Sequence, residues 1–406
     1  MIKRAFVVIA AAFVAAAAAV LASRGEAPAQ PPVERPVLTG TSADIPVLER
    51  AVRGGRGDLR TDLAQAYLQR VRETEDPSDY DRASKALGTP RTANAFGTAA
   101  QIAAAKHEFS KALTLATRAG TTGDPIRVDA LVELGRLDEA ERVLQGMLDR
   151  RPNLAGYARA SYLRELHGDL DGAVEAMRLA IAAGGPSAEN SAFVTVLLGE
   201  LERRRGHLRA SRGAYERVLA LVPANPEAQL GLARLDAQGG RIAPAIDRLR
   251  RLVGRKPRFD YLIALGEAEL AAGKPAQRTF ERVAAKRRTL TQLNADTALQ
   301  LAAYEADHGD PREAVRFARF GYAQAPSTKS ADALGWALTR AGEPDAGLRY
   351  AREALRDGAV DPLWLAHAGL TERAAGGDGR RELEQALAHG LDGYPWQAQR
   401  VRRALR

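Results

Sequence analysis

The 406 residues carry a formal charge of +9, with 46% apolar side chains, only 5% aromatic ones and no cysteine. Without thiols the chain has no disulfides, no thiolate zinc site, no cysteine nucleophile and no lipid attachment through cysteine. The basic excess is arginine scattered among Asp and Glu, without basic runs interleaved with aromatics, so it predicts a solvated surface and no nucleic-acid partner.

The chain opens on Lys3 and Arg4, and residues 5–22 follow without a charge. A positive start, an apolar stretch and small residues beyond it form an export pattern. Cleavage after Ala22 or after Ala29 is compatible with it, and so is retention of residues 5–22 as a membrane anchor. Residues 1–22 are therefore read as a signal peptide or anchor, and in both cases the remainder is expected outside the cytoplasmic membrane. Residues 23–43, with Pro28, Pro31, Pro32 and Pro36, are read as an extended linker.

From residue 44 to 393 the pattern is one of helical hairpins, about nine or ten of them. In the clearest, 226–259, a first helix reaches Gln238, Gly239 and Gly240 turn the chain, and a second helix runs from Ala243 to Val253 before Pro257. Gly206 and Gly240 are 34 residues apart, as are Pro223 and Pro257. Small residues recur in the first helix at Ser161, Gly199, Ala233, Gly266, Ala302, Gly335 and Gly369. The turn carries glycine at Gly135, Gly168, Gly206, Gly240, Gly273, Gly309 and Gly342, and His107 stands in that place in an early unit. The second helix has small residues at Ala140, Ala173, Ser211, Ala245 and Ala314. Small side chains let helices cross closely, and a larger one there costs about 1–3 kcal/mol by overpacking. Glycine supplies the left-handed residue that ends a helix. The acidic stretch 72–81 is expected as an insertion between the two helices of its hairpin. Residues 394–406 predict a capping helix with Ala398, Val401 and Leu405 inward and its arginines in water.

These positions and the 34-residue period resemble the tetratricopeptide repeat family. The resemblance implies an all-α, right-handed superhelical solenoid. Segments such as LLGELERRRG and EADHGDPREA are also similar to exported bacterial members of the family, which bring little function with them. In this family the first helix of each unit lines a concave surface. The register places Arg159, Tyr162, Glu200, Arg203, Arg234, Glu267, Asp332, Trp336 and His367 there as candidate binding residues. Trp336 has two readings, an exposed anchor for a partner or a packing residue between repeats.

No metal or cofactor is expected. His167, His207 and His308 flank turn glycines in different units and His107 replaces one, so they do not converge on one ion. Basic side chains suit the negative end of a first helix. The sequence has no metalloprotease, phosphate-loop or serine-hydrolase motif. The expected function is a non-enzymatic scaffold for a protein or peptide partner. The alternatives are a sensor or ligand-binding accessory of an envelope system and, behind it, an envelope hydrolase or glycan-processing factor.

Overall fold

Side-chain caps and prolines set where the helices begin. Asn153, Asn225 and Asn294 accept the backbone N–H three residues on, at 2.8–3.0 Å, and Pro226, Pro311, Pro344, Pro362 and Pro395 each open a helix. The structure, a computed structural model, describes residues 38–406 apart from 75, 185–187 and 291–292. The proposed signal or anchor and most of the linker lie outside those residues. Among the described residues there are 22 α-helices and no strand.

The described chain divides into two units, 38–132 with 138–150, and 151–406 with 133–137. The first holds α1 (Ile45–Arg53), α2 (Arg60–Thr74), α3 (Ser78–Leu87), α4 (Ala93–Ala105), α5 (Phe109–Arg118), α6 (Asp124–Glu133) and α7 (Leu137–Arg150). After α1 they pair as hairpins α2/α3, α4/α5 and α6/α7. Their interior is aliphatic around Leu48, Leu63 and Leu68 and nearly all alanine around Ala100, Ala103, Ala112 and Ala116. The stretch 72–81 is mostly helical, which corrects its reading as an insertion: its first residues extend α2 and its last begin α3. An ion pair holds the two helices close, since the buried Asp79 on α3 accepts from the partly exposed Arg70 on α2. His107 has φ +62, alone among the described non-glycine residues in the left-handed region, as its place in the repeat demands.

The second unit continues with α8 (Leu154–Leu166), α9 (Leu170–Ala183), α10 (Ala188–Arg204), α11 (Leu208–Leu221), α12 (Pro226–Gln238), α13 (Ile242–Arg255), α14 (Phe259–Ala271) and α15 (Gln277–Arg288). Then come α16 (Ala295–His308), α17 (Pro311–Gln324), α18 (Thr328–Arg340), α19 (Pro344–Leu355), α20 (Pro362–Ala374), α21 (Arg380–Ala388) and α22 (Pro395–Leu405). These are seven hairpins and one last helix. Three hairpins in the first unit and seven in the second, 34 residues long where most regular, are of tetratricopeptide type.

Crossings are as tight as the small residues require. Tyr215 on α11 fits between Gly199 of α10 and Gly231 of α12, where added Cβ atoms would lie 2.7 and 2.3 Å from its ring. A Cβ on Gly266 would lie 2.3 Å from the ring of Phe280. Ala173, Ala245 and Ala314 are buried at the matching points of the second helices. Gly309 departs from the expected left-handed turn, with φ −134° and ψ −137°. A Cβ there would lie 2.0 Å from the Glu305 carboxylate, which accepts from the Asp310 N–H at 2.9 Å. This glycine makes room for a side chain rather than for a backbone twist.

The second unit also meets itself. The turn at Gly168 lies against the loop at Gly358, so closely that a Cβ on Gly168 would be 2.3 Å from the Gly358 carbonyl oxygen.

Candidate binding groove

The first helices of the seven hairpins, α8, α10, α12, α14, α16, α18 and α20, supply the residues that the register assigned to a concave face. All nine candidates are buried: Arg159, Tyr162, Glu200, Arg203, Arg234, Glu267, Asp332, Trp336 and His367. The cover over four of them comes from the chain itself. After α21 the backbone turns through Leu391–Gly393 and α22 lies along the groove, against α14 and α20. The helix expected to cap the end of the stack therefore packs lengthwise inside it.

At one end of the groove Arg203 is wholly enclosed. Its Nε lies 3.1 Å from both carboxylate oxygens of Glu200, and its Nη1 donates to Gln238 Oε1 at 2.9 Å and to the Gly390 carbonyl at 2.7 Å. The Tyr215 hydroxyl reaches the same carboxylate at 3.1 Å. Tyr394 covers the pair, its ring 5.6 Å from the Arg203 guanidinium and 4.8 Å from that of Arg234. The turn carries glycine because a Cβ on Gly393 would lie 2.7 Å from Arg203 Nη1. Burial alone would raise the Glu200 pKa, but Arg203 outweighs it and holds the carboxyl below its ordinary value.

Farther along, Asp307 accepts from Gln397 Nε2 at 2.9 Å, from Trp336 Nε1 at 3.2 Å and from Arg400. Gln397 also donates to Glu267 at 3.2 Å, and Glu267 lies 3.3 Å from His308 Nε2. The Arg400 guanidinium sits between two indoles, 4.8 Å from Trp336 and 4.7 Å from Trp396. Its side chain is only 15% exposed, against the expectation that the arginines of this helix face water. Arg402 and Arg403 are exposed, and Ala398 and Val401 are buried as expected. His308, beside its turn glycine, is enclosed: its ring stacks on Phe280 at 4.5 Å and meets Trp396 at 4.6 Å, tilted by 45°.

Trp336 is packed rather than free. It stacks on His367 at 4.6 Å and 7°, and His367 Nδ1 lies 3.0 Å from Asp332. Asp332, Trp336 and His367 thus come together on two neighbouring hairpins, as the register implied, but under cover. Burial disfavours the charged imidazole, yet Asp332, aided by Asp307, holds the His367 pKa above its ordinary value. Burial likewise opposes the charged form of Asp307, and Arg400, with His367 and Gln397, keeps its pKa low. Arg159 donates to the Ala155 carbonyl of its own helix at 3.0 Å, away from these clusters.

Two wall residues outside the candidate set complete the groove. Arg204 and Glu165 are both buried and bond at 2.6 Å. Glu165 falls on the register position of Arg203, and Arg204 and Asp307 fall one position beyond it, still within the groove-facing positions of a first helix, so all three were legible by that rule. Tyr394, Gln397 and Arg400 were not, because nothing in the repeat says where the last helix lies.

Among the described residues no group of three or more His, Asp or Glu side chains is placed to hold a metal ion. None of the described helices is long and apolar enough to cross a membrane, and residues 5–22 lie outside that description.

Repeat geometry and groove together define a class, and the chain is a tetratricopeptide-repeat protein: the model described as "Tetratricopeptide repeat" matches residues 203–267, within α10–α14. Its sequence is similar to cellulose synthase 1 operon protein C of Komagataeibacter xylinus, 31% identical over an alignment of 238 residues that covers 53% of this chain and 17% of that protein. Cellulose synthase operon protein C of Pseudomonas fluorescens (strain SBW25) is 33% identical over 119 residues, 28% of this chain and 9% of that protein. The chain thus spans less than a fifth of the length of these relatives. Among solved structures, a tetratricopeptide repeat protein from Parabacteroides merdae ATCC 43184 aligns with a TM-score of 0.34 and 16% identity, covering 62% of this chain and 97% of that one. Yeast Tom70 aligns with a TM-score of 0.37 and 11% identity, covering 89% and 95%.

Proposed function

We infer that this protein is a non-enzymatic scaffold that holds a segment of a partner protein in the groove of its second unit, outside the cytoplasmic membrane. One observation carries the reading: the groove is already shaped and charged to hold a chain segment, and it holds one, residues 390–405, with Arg203 on the Gly390 carbonyl and Glu267, Asp307 and Trp336 on α22. Charged and aromatic side chains that converge on a helix recognise a peptide. The carboxylates present are each engaged by arginine, glutamine or histidine, an arrangement for recognition rather than for acid–base chemistry. The export pattern of residues 1–22 supports the location. The partial likeness to cellulose synthase operon protein C directs the search for a partner to the synthesis of an extracellular polysaccharide.

Two experiments test this. A photo-reactive side chain at Gln399, exposed on the last helix, should capture one protein in living cells, whereas one at Phe320, on the second helix of another hairpin, should not. No protein adduct at Gln399 removes the scaffold reading. Fusing residues 1–43 to a reporter active only outside the cytoplasm should give signal, and a silent fusion removes the location.

A further inference from the structure

The wall of this groove differs from a core that folding has sealed. Arg203, Arg234, Glu267 and Asp307 come from four first helices, and the last segment meets them with the Gly390 carbonyl and Tyr394 ring of its turn and with the Gln397 amide and Arg400 guanidinium of α22. Its apolar anchor is separate, formed by Leu391, Ala398 and Val401 against Leu365, Ala366, Leu383 and Ala386 of α20 and α21. If the last helix lifts, the wall exposes charges and amides that water solvates readily, which an apolar interface does not allow.

The fit of the last helix is also incomplete. Arg234 is more than nine-tenths buried, yet its Nε and Nη2 have no acceptor among the described residues, and neither has His367 Nε2 a partner. Arg234 lines a small cavity with Glu267, Gly393 and Tyr394, so its free donors lie where the last segment passes. Buried donors left without acceptors weaken the closed state and reward any occupant that supplies one.

Resting on the scaffold reading, we propose that residues 389–405 are an exchangeable internal occupant of the groove, and that the partner which replaces them is a helical protein segment of related chemistry. That segment carries an aromatic residue and an arginine one turn apart, as Trp396 and Arg400 are, to fill the slot beside Trp336 and reach Asp307. It also carries a carboxylate or free carbonyl aimed at Arg234. The added acceptor is necessary, because a tethered occupant competes at an effective concentration of about millimolar and a segment making only the same contacts would lose to it. Binding of the partner and release of the last helix are then one event.

The test uses the full chain and a fluorescent peptide of residues 389–406. The unchanged chain should bind the peptide weakly. The double variant Trp396→Ala/Arg400→Ala, whose own helix holds less well, should bind it at least about tenfold more tightly. Adding Asp307→Asn to that variant should reverse the gain. A double variant that binds no tighter than the unchanged chain overturns the proposal. Should the double variant fail to fold, hydrogen exchange on the unchanged chain decides. Amides of residues 397–405 should exchange through a local opening while those of α14 and α16 stay protected, and exchange of all three together overturns the proposal. A protein adduct at Gln399 with a locked last helix would leave the scaffold reading standing and this inference gone. An exchanging helix without any adduct would remove the scaffold reading and, with it, the protein segment proposed here as the replacing occupant.

Discussion

The helix crossings and the groove of the second unit are both buried, and they are built on opposite principles. At a crossing the side chain is reduced to nothing or to a methyl: Gly199, Gly231 and Gly266 admit the rings of Tyr215 and Phe280, and Ala245 and Ala314 let second helices lie close. In the groove the side chains are long and charged, Arg203, Arg234, Glu267 and Asp307, and residues 390–400 lie over them. A crossing is settled by volume and has one solution. A groove is settled by matching charge and hydrogen bonds, and another segment can supply the match. Stability should therefore concentrate at crossings and exchange in the groove.

The largest effect is expected where groove chemistry is forced into a crossing. Ala245→Arg places an unpaired charge at a point 1% exposed and should cost roughly 4–5 kcal/mol, measured by denaturant titration. A melt close to that of the unchanged chain would mean the crossing is not dry.

Next comes Trp336→Ala, which removes the indole between His367 and Arg400. A truncation of this size costs about 3–5 kcal/mol when the site cannot collapse, so thermal melting should fall clearly. An unchanged melting point would return Trp336 to the role of a free anchor.

The charge pair gives a sharper contrast. Asp307→Asn leaves Arg400 buried without its counter-charge and should cost about 3 kcal/mol. Combined with Arg400→Met, most of the loss should return, with a coupling of about 1–3 kcal/mol in a double-mutant cycle. Additive losses would show that the two do not interact.

The pH dependence of stability follows from the two shifted groups. His367 has a raised pKa, so its contribution is complete below its unfolded value near 6.5 and is lost as pH rises through the folded value. Asp307 has a lowered pKa, so its contribution is complete above its unfolded value near 3.8 and is lost as pH falls through the folded value. Stability should therefore be highest between these limits, and His367→Gln should flatten the alkaline side and also lessen the acid-side contribution of Asp307, whose pKa His367 helps to lower.

The smallest effects lie at the turns. Gly240 has φ +75° and nothing within 4 Å of an added Cβ, so Gly240→Val should cost only the conformational penalty, about 1–2 kcal/mol. His107→Gly relieves the same conformation and should stabilise by up to about 1 kcal/mol, less whatever the ring gains against Phe109. If His107→Gly destabilises strongly, that ring contact outweighs the backbone.

By itself the sequence determined the hairpins, their length and most of their turns, because small residues, capping side chains and prolines act within one repeat or between neighbours. It also determined which faces of the first helices line the groove, since Glu165 falls on the position of Arg203, and Arg204 and Asp307 one position beyond it on the same face. Only the tertiary structure decided that the groove is filled. Residues 390–400 meet Arg203, Glu267 and Asp307 across 90 to 187 positions of chain, and no repeat rule carries that far. The alternative places for Arg400, in water or between two indoles above Asp307, look alike in an amphipathic helix pattern. Desolvation and charge matching choose between them, and both depend on which surface the helix finds.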